Sequence, residues 1–473
     1  MNNLLNFPFS LVKKIHFIGI GGIGMSGIAA LFKELGFDVR GSDAKSTAIT
    51  HALQNIGVKV FEGHDITNIQ DADMVVISSA IKTNNVEYVE ALKLGLPIFK
   101  RGKMLAELMR FKWGIAVAGT HGKTTTTSII SHLLQESDYD PTAVIGGIVN
   151  AWSNNSIMGK SNWLVAESDE SDGSFLDLPA IISVVTNIEE EHMEYYKDYA
   201  NLENYFTKFI NNIPFYGFSV LCVDSPGVVN ILPKVKNSRI LTYGFSPQAD
   251  YKIMNLSYVD DGIIFDIHCN HNDNTDIITG IHLPMYGNHN VLNAVAGIIV
   301  ATNIGISVEQ SKKALKSFQG IKRRFTQIGS HKGIKFIDDY AHHPSEIEAV
   351  ISSANQIVKK GKTITIVQPH KYSRLKAQFD GFCKCFNNTD IVIVLDVYTA
   401  GEMPIEDYNS QKLVDGIIEH GHKQVSYVQD MNDLYPVLKK LTTDNDIAMI
   451  IFMGAGDITY VAPKILTMFQ ENQ

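Results

Sequence analysis

At 473 residues the chain is too long for a single hydrophobic core, and the length predicts roughly three domains. Hydrophobic residues make up 45% and charged residues 19%, a mix that excludes a disordered or fibrous chain. With 41 Lys and Arg against 50 Asp and Glu the formal charge is −9, so no overall field attracts nucleic acid or anionic lipid, and any phosphate site must be local.

In chain order, the strand KKIHFIGI leads into a helix from about Gly24, then the strand DVRGSD, a helix near Thr47, and the strands MVVISS and PIFKR, a parallel α/β unit. The pattern restarts after Phe111 with GIAVAG, a Gly-Lys-Thr turn, the helical stretch TTTTSIISHLLQES, and the strands WLVAESD and AIISVVTNI. From Asp250 to Pro284 polar and apolar residues alternate around Asp260-Asp261-Gly262 and 270–274, which predicts a small antiparallel hairpin patch as an embellishment. A third doubly wound unit follows the helical SVEQSKKALKSF, beginning at Gly320 and carrying the strands IKFIDDY, TITIVQPH, IVIVLDV and AMIIFMGAG. The predicted domains are 1–112, 113–319 and 320–473, and the absence of a repeat or low-complexity tract speaks against a solenoid.

Four cysteines, Cys222, Cys269, Cys383 and Cys385, are too few and too scattered for a disulfide framework, and the C-x-C pair in a helical stretch reads as two buried thiols. Met1 to Lys14 lacks a basic segment followed by an apolar one, and nowhere do about 18 apolar residues run together. A cytoplasmic protein without membrane insertion is expected.

Two glycine loops carry the chemistry. Gly19-Ile20-Gly21-Gly22-Ile23-Gly24 follows a strand and opens a helix, with Asp43 closing the next strand where a ribose-binding acid would sit. Glycines let the backbone approach a diphosphate, and the helix N-terminus aims N–H groups at it, so NAD, FAD and a UDP-sugar all fit, as does a ligand-free tight turn. Gly119-Thr120-His121-Gly122-Lys123-Thr124-Thr125 likewise joins a strand to a helix. Its amides can wrap phosphates, Lys123 supplies charge at the transferring phosphate, and the Thr124 hydroxyl is placed to join a magnesium shell. Position 117 is Val, a departure from the common GxxxxGK[ST] spacing, yet the strand-to-helix setting points to ATP.

Downstream, Glu167-Ser168-Asp169-Glu170-Ser171-Asp172 ends a strand at the edge where ligands gather, which suits a metal, and His192 sits at a similar edge. Asn288-His289-Asn290 opens a helix, where Asn is also a natural N-cap. Arg323-Arg324 could meet phosphate bidentately or simply face solvent. Asp338 to Pro344 and Gln368 to Arg374 end consecutive strands and so gather acids, histidines and cations at one edge, where a small amino acid with its own carboxylate could be held.

GIGGIGMSGIA, AGTHGKTTTTS, ESDESDGSF, TNIEEEH, YGNHNVLNA, KRRF, DDYAHHP and QPHKYSR, in that order, resemble the sequence blocks of the Mur ligase family along nearly the whole chain. DESDGSF and GGIGMSG favour its L-alanine-adding branch over those that add a whole peptide or a later amino acid. The resemblance implies an N-terminal Rossmann-like domain for UDP-N-acetylmuramate, a central P-loop ATPase-like domain, and a C-terminal Rossmann-like domain that brings L-alanine. It implies UDP-sugar contacts from Gly21, Gly22, Ile23, Gly24 and Asp43, and ATP contacts from Gly119 to Thr125, Asn288, His289, Asn290 and Arg324. Thr124, Glu167 and His192 would hold magnesium, or manganese in its place. Lys123, His192 and Arg324 would serve catalysis, and Tyr340, His342, Lys371 and Arg374 would line the amino-acid pocket. Position 371 is Lys where Arg is expected in many relatives, which keeps the charge but loses the bidentate fork. A monomer or a homodimer working on small molecules in peptidoglycan precursor synthesis is expected. A dehydrogenase would leave the phosphate loop unused, and a nucleotide-gated binding protein would release no phosphate.

Overall fold

The computed structural model describes residues 11–78, 80–152, 154–236, 239–271 and 274–471. Most of the leader reading at Met1 to Lys14, Ser79 of the MVVISS strand, and Asn272-Asp273 of the second predicted turn lie outside them. The chain forms two compact units. One comprises the residues up to Ser257 with Ile264–Pro284 and Leu292–Gln319, and the other Tyr258–Ile263, Met285–Val291 and Gly320–Gln473.

The first unit holds two sheets. In the first, β1 (Lys14–Ile18), β2 (Asp38–Asp43), β3 (Lys59–Glu62), β4 (Met74–Ile77) and β5 (Ile98–Lys100) run parallel in the order β3-β2-β1-β4-β5. The order reverses beside β1, so the loop after β1 opens at the crevice where ligands gather. Three helices connect strands of this sheet, α1 (Ile23–Glu34) after β1, α2 (Ala48–Asn55) after β2 and α3 (Val86–Lys93) after β4, while α4 (Arg101–Met109) leads out of β5. The first buries Met25, Ile28, Leu31 and Phe32. At the start of α2 Thr47 and Thr50 exchange side-chain-to-backbone hydrogen bonds, which satisfies two amides of the first turn.

The second sheet is built from β6 (Trp113–Ala118), β7 (Thr142–Val149), β8 (Asn154–Ile157), β9 (Trp163–Glu167), β10 (Ala180–Val185), β11 (Phe218–Cys222), β12 (Arg239–Gly244), β13 (Tyr251–Val259), β14 (Gly262–His271) and β15 (Asn274–Leu283). Its order is β15-β14-β13-β12-β11-β10-β6-β9-β7-β8. β6 lies between β10 and β9, parallel to both, and its two-sided burial explains the unbroken apolar run GIAVA. α5 (Lys123–Glu136) leaves the loop after β6. The region expected to be a small hairpin patch is instead a three-strand extension of this main sheet. β13 pairs with β12 at Tyr243 and Tyr251, and Ile253, Phe265 and Ile267 are buried, so these strands continue the sheet. α1 packs on β7 and β8, where Asn155 donates a hydrogen bond to the Ile23 carbonyl.

The second unit carries β16 (Thr326–His331), β17 (Ile334–Asp339), β18 (Lys362–Val367), β19 (Ile391–Leu395), β20 (Val425–Val428) and β21 (Ile447–Met453), in the order β16-β17-β21-β18-β19-β20. Only the β16 pairing is antiparallel. Separate apolar clusters cover the sheet, one around Ile337, Ile347 and Phe382, the other around Phe336, Leu434 and Ile465. Cys383 and Cys385 are buried free thiols, in line with the sequence reading.

Candidate active site

In the first unit, Gly122 adopts φ +82°, and a Cβ there would sit 2.7 Å from Asn293 Oδ1, so glycine alone fits the turn into α5. The segment after β10 braces the loop. Thr120 N–H donates to Asn187 O, His121 N–H to Asn187 Oδ1 at 2.8 Å, and the Glu189 N–H to Thr120 Oγ1 at 2.8 Å. Thr126 donates to Asn293 Oδ1 at 3.1 Å, which ties the first turn of α5 to the helix Asn288–Asn303.

Lys123 Nζ donates to Gly119 O at 2.6 Å, to Thr120 O at 3.0 Å and to Glu170 Oε1 at 2.8 Å. Burial works to strip its proton, but Glu170, Glu167 and Glu191 outweigh burial and raise its pKa, so it stays an ammonium ion. Thr124 Oγ1 donates to Glu167 Oε1 at 3.0 Å, and Glu167 Oε2 accepts from Gly146 N–H at 2.6 Å. His192, held at φ +58°, brings Nε2 to 3.7 Å from Glu170 and 4.0 Å from Glu191. One ligand atom from each of Glu170, Glu191 and His192 fits within 4.8 Å of the others, and Glu170 Oε2 is buried without a hydrogen-bond partner. A buried carboxylate oxygen left in that state suits a hard cation, which prefers oxygen donors.

At the other glycine loop of this unit, Gly21 N–H donates to Asp43 Oδ2 at 2.8 Å, so the acid that closes β2 props the loop. Gly22 is the N-cap of α1 with its side-chain cap position empty, Ile23 offers its carbonyl to Asn155, and Gly24 lies against Arg101. Arg101 in turn forms an ion pair with Asp169 of the acidic run.

In the second unit, Arg323 and Phe325 both take positive φ, and this turn is clamped to the end of β17 by Tyr340 N–H to Arg323 O and Phe325 N–H to Asp339 Oδ2. The Arg324 guanidinium lies 5.4 Å from the centre of the Tyr340 ring and 3.9 Å from Glu346. His342 packs edge-on against Tyr340 and His370, and Arg374 reaches His370 Nδ1 at 3.3 Å. Burial, then His342 and Arg374, push His370 down to about 4. Lys371, at φ +69°, spends its backbone N–H on Tyr398 O. The first turn of the helix Asn288–Asn303 belongs here, with Asn288 exposed, Asn290 buried, and His289 lowered to about 4 by burial and then by Arg324. Tyr340, His342, His370 and Arg374 therefore cluster, and His289 shares its surroundings with Arg324.

Three family models match in succession: the Mur ligase catalytic domain over 14–113, the Mur ligase middle domain over 117–301, and the Mur ligase glutamate ligase domain over 323–456. The chain belongs to the Mur ligase family. A UDP-N-acetylmuramate–L-alanine ligase of Bartonella henselae is 47% identical over 97% of both chains, and one of Rhodospirillum centenum is 46% identical over 96% of this chain and 94% of the relative. Among solved structures, a UDP-N-acetylmuramate–alanine ligase from Thermotoga maritima superposes with a TM-score of 0.82 at 28% identity, covering 97% of this chain and all of that one. A murein peptide ligase from Psychrobacter arcticus, at 24% identity and TM-score 0.70 over 97% of this chain and 98% of its own, shares the fold. The three-domain α/β fold expected from the sequence is thus that of the Mur ligases.

In this Mur ligase, sequence reasoning singled out Glu167 and His192 for metal but left Glu170 and Glu191 inside their motifs without a role. It also passed over Asn187, Asn293 and Glu346. Glu346 had a local signal, an acid at the third position of a helix that starts at Pro344, where it accepts the His342 and His343 amides. The other two act across long sequence separations and left no such trace.

Proposed function

We propose that this chain joins L-alanine to the lactyl carboxylate of UDP-N-acetylmuramate, giving UDP-N-acetylmuramyl-L-alanine, ADP and phosphate for peptidoglycan precursors. The observation that carries the reading is the Lys123, Thr124, Glu167 and Glu170 constellation on a strand-to-helix glycine loop, in a chain similar over nearly its whole length to L-alanine ligases. A carboxylate oxygen of the muramyl group attacks the γ-phosphorus of ATP, the bond to the β-phosphate oxygen breaks, and ADP leaves. The neutral alanine amine then attacks the acyl phosphate carbon, and phosphate departs as the amide forms and a proton is released.

Lys123 offsets charge on the transferring phosphate, and Arg324 is assigned the same task. Thr124, Glu167, Glu170, Glu191 and His192 would hold magnesium or manganese, which supplies positive charge to the phosphates. His289 with Asn288 and Asn290 is assigned to the adenine, Gly21 to Gly24 and Asp43 to the UDP-sugar, and Tyr340, His342, Lys371 and Arg374 to the amino acid. The domain limits 1–112, 113–319 and 320–473 remain our division of these tasks. Among the described residues no helix is long and apolar enough to cross a membrane, and we assign the enzyme to the cytoplasm as a monomer or homodimer.

The test is phosphate release from ATP with UDP-N-acetylmuramate and magnesium, with L-alanine, an alanine-containing peptide or no amine in parallel, the product identified by mass. Release that depends on L-alanine is expected. Release with the peptide alone would move the enzyme to another step of the family.

A further inference from the structure

A cavity of about 300 Å³ lies inside the first unit, between the ends of α1 and α4 and the strands β7 and β9 of the second sheet. Phe37 directly precedes β2, Lys112 directly precedes β6, Thr142 opens β7, and Met158 and Ser161 lie on the way into β9. All of these are strand starts, whereas both glycine loops follow strand ends. One strand length, roughly 20 Å, therefore separates the cavity from the phosphate loop, and nothing bound there touches the reactants.

The wall is largely apolar. Phe32, Phe37, Leu108 and Leu164 are buried members of the apolar core of this unit, and Leu35 and Met158 pack against it half-buried. The Phe32 and Phe37 rings meet edge-on with centres 5.3 Å apart, which holds both in place. Walls of this kind favour an apolar guest, which exchanges water for close-packed contacts.

One side is cationic. Lys112 Nζ donates to Gly159 O at 3.0 Å and to Ser161 O at 2.6 Å, which fixes the ammonium and leaves its third N–H without a partner among the described residues. Burial lowers its pKa, and the charge of Asp140 works the other way. Asp140 also accepts the Lys160 N–H at 3.0 Å. Ser161 Oγ accepts the Trp163 N–H at 3.2 Å and so keeps its own proton to give. Lys160 and Asn162, both exposed, add a second cation and an amide at the rim, and no acid stands among the described residues that line the cavity.

We infer that this cavity is a binding site for a small apolar carboxylate of the medium-chain fatty acid class, its hydrocarbon against Phe32, Phe37 and Leu164 and its carboxylate on Lys112 Nζ and the Ser161 hydroxyl. A carboxylate accepts from both donors at once and gives the half-buried ammonium a charge partner. An amine of the same length would meet Lys112 as a like charge, and an alcohol would forgo the charge-assisted bond.

The test is calorimetric binding of octanoate, octanol and octylammonium to the full-length chain, as wild type, Lys112→Met, Lys112→Arg and Leu35→Trp, with thermal melting as a check on folding. Wild type should bind octanoate about 10-fold tighter than octanol and about 100-fold tighter than octylammonium. Lys112→Met should bring octanoate and octanol within about 3-fold of each other, while Lys112→Arg keeps the preference. Leu35 is half-buried at the end of α1, so Leu35→Trp can turn its ring into the cavity and should weaken octanoate and octanol alike by at least about 10-fold. Saturating ATP or UDP-N-acetylmuramate should leave octanoate in place. Failure of wild type to bind octanoate, equal binding of the three probes, a preference that survives Lys112→Met, unchanged binding by Leu35→Trp, or displacement by either nucleotide overturns the inference. Should Lys112→Met not fold, the wild-type ratios and the Leu35→Trp loss decide it.

Discussion

The two glycine loops of this chain share a backbone design and differ in everything that surrounds it. Both end a central parallel strand and open a helix, so both present amides and a helix N-terminus to an anion. Around Gly21 to Gly24 the close partners are an acid that holds the loop's own amide, Asp43, and a buried network of Ser42, His64 and Glu87. Around Gly119 to Thr125 the partners are charged groups aimed into the loop: Lys123 against Glu170, and Thr124 against Glu167. On the proposed function, the backbone suits both loops to phosphate, and the neighbouring strand ends would decide whether it is only held or also transferred.

The sharpest way to break that comparison is Lys123→Ala, which should cut alanine-dependent phosphate release by roughly 10³-fold while calorimetry shows UDP binding unchanged. The variant also strands Glu170 in a buried site, so its melting temperature should fall, and adding Glu170→Gln should recover the temperature without the activity. Activity regained in the double variant would mean that the charge at the second loop is structural.

Next in size is Glu87. Its folded pKa of about 2 lies below the ordinary glutamate value of 4.5, so its stabilisation is present above pH 4.5 and is lost as pH falls toward 2. Urea unfolding should find Glu87→Gln less stable by about 3 kcal/mol at pH 7, with the difference vanishing near pH 2. A gap that persists at low pH would show that the network acts through packing alone.

Asp43→Ala should raise KM for the UDP-sugar about 10-fold with kcat and the ATP KM unmoved, since it frees one loop amide worth roughly 1 kcal/mol. An equal effect on both nucleotides would erase the distinction between the loops. The smallest effect is expected outside both, where Lys371→Arg should change the L-alanine KM by no more than about 3-fold, because a flexible ammonium and a guanidinium both keep the charge.

The sheet edges were legible because Gly-rich turns after apolar runs are local signals, and the eight motif blocks all fall on loops at such edges or on helix starts. Glu87 was not. Within VEYVEALK it reads as one of two acids on an exposed helix, and nothing nearby in sequence announces that His16, Ser42 and Asn68 will surround it. Glu170 was visible as part of an acidic run, but only the fold chooses it from its neighbours to meet Lys123 and sends Asp169 to Arg101. The strands β13 to β15 were recognised as strands and misjudged as an appendage, because alternation reports a half-buried strand without saying which sheet it extends.

Two contacts bear on how this chain divides. Asn155, on a strand of the second sheet, holds the carbonyl of Ile23 in the first loop, and Asp169 holds Arg101, which packs on Gly24. A fragment ending at Lys112 would keep every strand of the first sheet and lose Asn155 and Asp169, the two residues that brace its glycine loop. What looks like a portable nucleotide module is finished by its neighbour, so excision, shuffling or fusion at that seam would carry away the sheet and leave its binding edge behind.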